Sequence, residues 1–513
     1  MGNILLSSLP LLLLSAAVAF PAVYKFVFQK ANAYFSYIIH HYLIWRYPIC
    51  AVVDGQPMPA CPYKWPNGQG DVGKFLEGEK NSKIWGSKNG RIYRIWNGMS
   101  TEVVVKDPED IQIIFKDSDK HTKAVNNDAG WLMGELLGKC LGLISGAAYQ
   151  RVKTAISPPF THKSSLKYIK DISEVTAKHI NKLSTEGKLR NGFINPVTCL
   201  APIPFWAVAN IIYGAELSSD LKLELESLIR LRESLWGHMI QGGATRFGWS
   251  RYLPTKTTRD LRDFKKRWAA FNDQAHRVAC QTESQAPIRH LYAEVRNGNI
   301  EKEQLLQTID EMLFANLDVT MGGISWCLLF LAAHEDVQEK IRQEISEARL
   351  SVETTARGWD DYIQSSSTML AASILESSRL KPLAAFSVPQ SAPTDRIVGG
   401  FLIPAGTNII VDTHALNINN PYWDPDGETY RPARFLENRK PSEMRYHFWR
   451  FGFGPRQCLG KFTVDLLIRV VVAQLVEGYH LRLAETTRWD KNPDTWILHP
   501  DTEIRCDGIG ATK

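Results

Sequence analysis

One run of ten residues constrains this chain more than any other feature. It is Phe451-Gly452-Phe453-Gly454-Pro455-Arg456-Gln457-Cys458-Leu459-Gly460, which fits F-x-x-G-x-R-x-C-x-G. With 21 Phe, 35 Gly and 8 Cys in 513 residues, and Arg taken as about half of the 60 basic residues, a chance match anywhere has a probability on the order of 10⁻⁴. The glycines let the backbone pass close to a flat ligand. Arg456 supplies a cation for a nearby carboxylate. Cys458 lies just before an apolar helix, where aligned amides favour its thiolate. The other seven cysteines are scattered and form no CxxC pair, so the common zinc spacings are absent. A lone thiolate with no second cysteine or histidine beside it suits an axial ligand of haem iron. The alternative is an inert buried cysteine in a glycine-rich turn.

Met1 to Tyr24 carries no charged side chain, and residues 4–24 are almost continuously apolar. At about 1.5 Å rise per residue that stretch spans roughly 30 Å, the thickness of a bilayer's hydrocarbon core. Lys25 and Lys30 follow and place the carboxyl side in the cytosol. A cleaved signal peptide is the rival reading, with Ala17-Val18-Ala19 as the cleavage site, but the basic leader expected of one is missing. Residues 34–49 read as an interfacial helix lying on a membrane, or as a buried core helix.

The formal net charge of +6 is mild and lacks the concentrated basic field of a nucleic-acid binder, so no nucleic-acid partner is expected. No linker, repeat or long charge run divides the chain. Residues 91–96 and 101–106 read as a hairpin around Asn97-Gly98, and a helix is expected from Glu109 to Phe115. From Ser165 to about Ala348 the periodicity is helical. After Pro382 short strands are expected at 386–389, 397–403 and 408–411, and a strongly apolar helix at 459–475. The fold class is therefore mainly α with a small β region.

These residues resemble the cytochrome P450 family of haem-thiolate monooxygenases, with the membrane anchor of the eukaryotic microsomal type. The resemblance divides the chain into a membrane anchor helix at 1–28, an interfacial or linker segment at 29–60 and a monooxygenase domain at 61–513. It implies haem b as cofactor, with Cys458 as axial ligand, Phe451 beside the sulfur and Arg456 on a haem propionate. Glu376-Ser377-Ser378-Arg379 matches the family's E-x-x-R, whose i, i+3 spacing puts both charges on one helix face. Arg434, in Pro432-Ala433-Arg434-Phe435, would close a Glu376–Arg379–Arg434 cluster that locks the loop holding Cys458.

The departures from the family pattern are informative. Its oxygen-binding helix carries Ala/Gly-Gly-x-Asp/Glu-Thr-Thr/Ser, where this chain has Ala315-Asn316-Leu317-Asp318-Val319-Thr320. Asp318 can act as the acid of a proton relay. Val319 takes the place of the alcohol that helps deliver protons to dioxygen, and Thr320, one residue on, is rotated by about 100°. Asn316 or a substrate hydroxyl could orient the water instead, or Val319 simply packs. The family's W-x-x-x-R falls on Tyr149 and Lys153, which can bind a propionate without a bidentate fork. Gln390 stands where many members carry a propionate-binding arginine. Each of these can also be an ordinary packing or surface residue.

No nucleotide fingerprint or second domain follows the haem loop, so the resemblance implies electrons from an NADPH-dependent flavoprotein reductase. It docks near Lys139, Arg151, Lys153, Arg445, Arg450 and Lys461. The location implied is the endoplasmic reticulum membrane, single-pass, with the catalytic domain in the cytosol. The pocket would be lined by Phe314, Ala315, Val319, Phe386, Val388 and Leu498, which suits a small hydrophobic or aromatic substrate oxidised with O2. Residues 314–320 and 447–461 are similar to those of fungal tailoring oxygenases of peptide-derived metabolites such as diketopiperazines, which implies ring epoxidation or hydroxylation. Two other readings stay open: a haem-thiolate isomerase or dehydratase working without external electrons, and a non-catalytic haem-binding carrier.

Overall fold

Apolar side chains at helical spacing dictate most of the architecture. In the helix Lys256–Gln281, Leu261, Phe264, Trp268, Phe271, Ala275 and Ala279 fall on one buried face, the stripe expected of a helix packed on one side. That face meets the helix Ser219–Gln241, which packs alongside. Two other helices lie mostly inside the protein. Met321–Ala333 and Lys461–Gly478 are buried on nearly every side and run through the largest core cluster, with Ile341, Ile374, Leu467 and Val471.

The computed structural model describes residues 25, 27–123, 130–215, 217–241, 243–351, 358–437 and 441–509. Helices predominate, and the strands form three small sheets. The strands are β1 (Tyr93–Asn97), β2 (Ser100–Val105), β3 (Thr122–Lys123), β4 (Phe193–Ile194), β5 (Gln390–Ser391), β6 (Arg396–Val398), β7 (Phe401–Ile403), β8 (Asn408–Val411), β9 (Tyr479–Leu483) and β10 (Ile504–Gly508). The largest sheet has the order β1-β2-β8-β5-β3, with β2 and β8 parallel and the other pairs antiparallel. In the other two, β10 lies between β4 and β9, and β6 pairs with β7. β1, β2 and β8 read as continuous buried runs because both faces of the sheet are covered.

The expected hairpin forms with its turn one residue later, Asn97 pairing with Ser100 around Gly98-Met99. The expected helix at 109–115 begins at Pro108, whose fixed φ suits a first helical position. Residues 386–389 make only a single bridge, Phe386 with Asp412, and regular pairing starts at Gln390. Apart from residues 25, 27 and 28, the anchor expected at 1–28 lies outside the described residues. A helix runs over 27–46 and exposes Tyr34, Phe35, Tyr37, Ile38, Tyr42 and Trp45. Two described stretches, Pro196–Tyr213 and Lys302–Ala333, are long and apolar enough to cross a membrane, but most of each is packed inside the protein. All eight cysteines are free.

Candidate active site around Cys458

The loop that carries Cys458 is held by buried charge. Arg379 donates to both carboxylate oxygens of Glu376, at 2.8 and 2.9 Å. Arg434 Nε meets the same carboxylate at 3.0 Å, and all three side chains are fully buried. Two guanidiniums on one carboxylate leave an excess of positive charge. Asp426, which sequence reasoning missed, answers it at 2.9 Å from Arg434 Nη1. Its signal was faint: an acidic residue a few positions ahead of the arginines. From this cluster Arg379 Nη1 donates to Asn417 O at 2.9 Å. The Asn417 amide donates to Trp449 O at 2.9 Å and accepts the Trp449 N–H at 2.8 Å. Trp449 leads directly into Arg450 and Phe451. The cluster and the cysteine loop are thus one hydrogen-bonded chain.

Within the loop, Gly454 has φ +70°, and a Cβ there would lie 2.1 Å from Phe115 O and 2.5 Å from Ser118 Oγ. Only glycine fits. Phe453 is buried, with its ring edge-on to Trp449 at 4.9 Å and to Phe115 at 5.9 Å. The Cys458 N–H donates to Phe451 O at 2.9 Å, which closes the turn around the sulfur. Cys458 itself keeps accessible surface. Burial pushes its thiol up, and the amides of Gly460 and Lys461 at the following helix N-terminus pull it back, as expected for aligned N–H groups. The Arg450 guanidinium lies over the Phe451 ring at 4.6 Å and bonds Asp465 at 2.6 Å. It is therefore a mostly buried ion-pair member rather than a loose surface cation. Lys139 is likewise engaged, with Glu301 and Glu303, whereas Arg151 and Arg445 stand exposed.

A second cluster lies beside the loop. Arg456 donates to Ile144 O at 2.7 Å and His121 O at 3.1 Å, and its guanidinium sits 4.1 Å over the Tyr149 ring. Lys153 reaches Pro455 O at 3.1 Å, on the outer side of the loop. Gln390 is buried, and its Nε2 has no hydrogen-bond partner. Directly across the strand pair stands Lys123, a cation that no local sequence signal marked. Burial first, and then the charge of Arg456, pull the Lys123 amine down to about 8, with Glu311 opposing. Among the described residues neither Arg456 nor Lys123 is ion-paired with a protein carboxylate. Two cations without a carboxylate ion pair, an orphaned amide donor and an accessible thiol are a donor set that suits a haem with its two propionates. The residues fit that group.

The distal helix, Lys302–Ala333, is α-helical over Lys302–Ala315, opens into a π-helical turn at Asn316–Thr320 and continues as α-helix over Met321–Ala333. Such widened turns recur at functional sites. Thr320 is buried and donates to Asn316 Oδ1 at 2.8 Å, while Asn316 Nδ2 donates to Met312 O at 2.6 Å. The two polar side chains thus satisfy each other and the backbone. Val319 remains 40% exposed, and Ala315 is exposed on the same stretch. Burial raises the Asp318 carboxyl, with His499 and Arg232 opposing; His499 Nε2 also contacts Asp318 O at 2.7 Å. Glu233, on Ser219–Gln241, is raised by burial and then by the charge of Asp318. Asp318 therefore has a carboxylate neighbour that sequence reasoning missed.

Of the expected pocket residues, Ala315, Val319 and Val388 present surface, while Phe314, Phe386 and Leu498 lie in packed cores. Phe314 packs on Phe205, Phe264 and Trp268, and Phe386 on Trp85. An aromatic assembly not foreseen stands close by: Trp496 stacks on Phe75 at 4.6 Å and meets Trp236 edge-on at 5.6 Å. The segment holding Trp496 touches the distal helix, since Ile497 and His499 crowd Gly322.

Comparison with known proteins agrees with this geometry. Residues 79–506 match the family described as Cytochrome P450. The cytochrome P450 monooxygenase aclC of Aspergillus oryzae is 50% identical over 470 residues, covering 91% of this chain and 95% of that protein. The cytochrome P450 monooxygenase asaD of Aspergillus flavus is 45% identical, with 96% and 93% covered. The cytochrome P450 monooxygenase gliC of Aspergillus fumigatus is 38% identical, with 98% and 97% covered.

Proposed function

The chain belongs to the cytochrome P450 family of haem-thiolate oxidoreductases, and from that premise we propose that it hydroxylates or epoxidises a small aromatic molecule in fungal secondary-metabolite biosynthesis, a diketopiperazine type being the leading candidate. The observation that carries this reading is the Cys458 thiol, seated in a loop fastened to buried charge two residues after Arg456. Cys458 would hold haem b through its thiolate, and the bound haem would supply the chemistry that activates dioxygen. The cluster Glu376–Arg379–Arg434 keeps the sulfur in place. Arg456, Lys123, the Gln390 amide and Tyr149 are the groups to hold the propionates. Asp318, whose carboxyl burial raises, keeps its proton to higher pH than an ordinary aspartic acid and is the acid for proton delivery beside Val319. The Thr320 hydroxyl is turned onto Asn316 and away from that task.

Ala315, Val319 and Val388 with the aromatic edge of Trp236 and Trp496 favour a flat apolar substrate. Exposed Arg151 and Arg445 are the cations available to an acidic flavoprotein reductase fed by NADPH. The exposed aromatics of the helix over 27–46, following the apolar residues 4–24, suit a membrane anchor with the catalytic part, from about residue 61, on the cytosolic side of the endoplasmic reticulum. The relatives are named monooxygenases, which favours oxygen insertion over an electron-independent isomerase or dehydratase.

The test uses the purified holoprotein, a fungal reductase, NADPH, labelled dioxygen and aromatic cyclic dipeptides. The ferrous carbon-monoxide complex should show the strongly red-shifted Soret band of thiolate ligation, lost in Cys458→Ser. Product should carry one labelled oxygen and require reductase. Product formed without NADPH would replace this reading with the isomerase. A globin-like band in wild type would overturn the assignment of Cys458.

A further inference from the structure

Glu311 has no part in the roles above, yet its carboxyl sits at a junction. It lies on the helix Lys302–Ala315, one turn before Ala315. Its Oε2 accepts the Gly142 N–H at 3.0 Å, and the Cys140 thiol helps to hold its carboxyl down. A Cβ added at Gly142 would stand 1.9 Å from Glu311 Oε1, so the loop backbone is drawn directly onto the carboxyl. Two further amides of the same loop dock on the same helix. Lys139 N–H donates to Gln307 Oε1 at 2.6 Å, and Leu141 N–H donates to Thr308 Oγ1 at 3.1 Å. Gln307, Thr308 and Glu311, at i, i+1 and i+4, form one face that holds the loop by its N–H groups.

The other edge of that loop faces the cofactor cations. Ile144 O and Ser145 Oγ accept from Arg456 at 2.7 and 3.4 Å. Ser145 Oγ also accepts the backbone N–H of Lys123 at 3.1 Å. The loop thus has its amides on the distal helix and its acceptors on Arg456 and β3. Burial pushes the Glu311 carboxyl up, while the Gly142 amide, the Cys140 thiol, Lys123 and Arg456 pull it down. It is the carboxylate whose charge reaches both unpaired cations.

We propose that Glu311 is a positioning residue for cofactor binding: by holding the loop 139–145 against the distal helix, it sets the acceptors that aim Arg456 at the haem propionates. This rests on the haem-thiolate reading above. It ties the helix that carries Asp318 to the anchor of the cofactor, so strain on one face reaches the other.

The experiment follows haem transfer from holoprotein to excess apomyoglobin for wild type, Glu311→Ala, Glu311→Gln, Gly142→Ala, Arg456→Ala and the double variant Glu311→Ala/Arg456→Ala. Glu311→Ala should release haem about tenfold faster, the scale of one buried hydrogen bond. Glu311→Gln, which can still accept from Gly142, should recover most of the loss. Gly142→Ala should release haem faster with Glu311 intact, which keeps the test open should Glu311→Ala fold poorly. In the Arg456→Ala background, removing Glu311 should add little, because the two act in series. Release from Glu311→Ala at the wild-type rate, or full additivity in the double variant, overturns the proposal while the wild-type thiolate Soret band leaves the haem-thiolate reading standing. A wild type without that band overturns both.

Discussion

The cysteine loop and the distal helix are built on opposite rules. On the loop side, buried polar groups are bonded in sequence, from Asp426 through Arg434, Glu376, Arg379 and Asn417 to Trp449. On the distal side the helix loosens into a π-helical turn, folds Asn316 and Thr320 onto each other, and leaves Ala315 and Val319 exposed. One side fixes a sulfur atom, and any slack there moves the ligand. In the function proposed above, the other must leave room for substrate and pass protons without admitting bulk water, which calls for exposed apolar surface and few committed donors. The loop around the sulfur is held by rigid polar wiring, and the helix at Asn316–Thr320 is locally relaxed.

The comparison would break most visibly at Glu376. Removing its carboxylate leaves Arg379 and Arg434 buried without their shared partner, so Glu376→Ala should cost about 3–5 kcal/mol and with it haem retention. Denaturant unfolding followed by tryptophan fluorescence and the Soret band measures both. The exposed pair Lys188–Glu503, at 3.4 Å, is the internal reference, where Glu503→Ala should cost about 0–1 kcal/mol. Equal losses at the two sites would mean that the loop side is no more rigidly wired than the surface.

Asp318 sharpens the distal half of the comparison. Asp318→Asn should leave folding and the thiolate Soret band intact while lowering product formed per NADPH consumed by about 10²-fold, the range for loss of a general acid. The sign of the pH dependence follows from the raised carboxyl. Asp318 holds its proton to higher pH than an ordinary aspartic acid and gives it up as the pH climbs through its raised pKa. Coupling in the wild type should therefore fall with rising pH, and the asparagine variant should lose that limb. The groups facing it are His499, Arg232 and Glu233. A pH limb that persists in Asp318→Asn but vanishes in Glu233→Gln would move the acid to the neighbouring helix.

What the sequence disclosed follows the same division. Cys458, Arg456 and the Glu376–Arg379–Arg434 set are legible because the chemistry admits few residue types at fixed spacing, and their geometry is local or keyed to a short motif. Lys123 and Glu311 were invisible. Lys123 sits in a two-residue strand and gains meaning only by pairing with Gln390 from the far end of the chain. Glu311, at helical spacing, reads as a solvated charge until the loop at Gly142 is laid on it. Phe314, Phe386 and Leu498 carried the right composition for a pocket wall, yet apolar residues serve a core equally well, and composition cannot tell which way a side chain faces. The Trp236–Trp496–Phe75 assembly was missed for the converse reason: three aromatics far apart in sequence meet only through tertiary packing.

The smallest expected effect belongs to Val319→Thr, and it discriminates most finely. Val319 is 40% exposed, so exchanging a methyl for a hydroxyl should change stability by no more than about 0.5 kcal/mol. It does place an alcohol on the open face where Thr320 offers none, its hydroxyl being bonded to Asn316. If Asp318 with pocket water already delivers protons, coupling should change by less than about threefold, well under the tenfold that 1.36 kcal/mol of barrier represents. Affinity for an apolar substrate should fall slightly, because the new hydroxyl must be desolvated or bonded. A rise in coupling of tenfold or more would instead mean that Val319 holds proton delivery back. The relaxed helix would then be a throttle as well as a space for substrate, and the distal side would be as tightly specified as the cysteine loop, by an apolar group in place of a hydrogen bond.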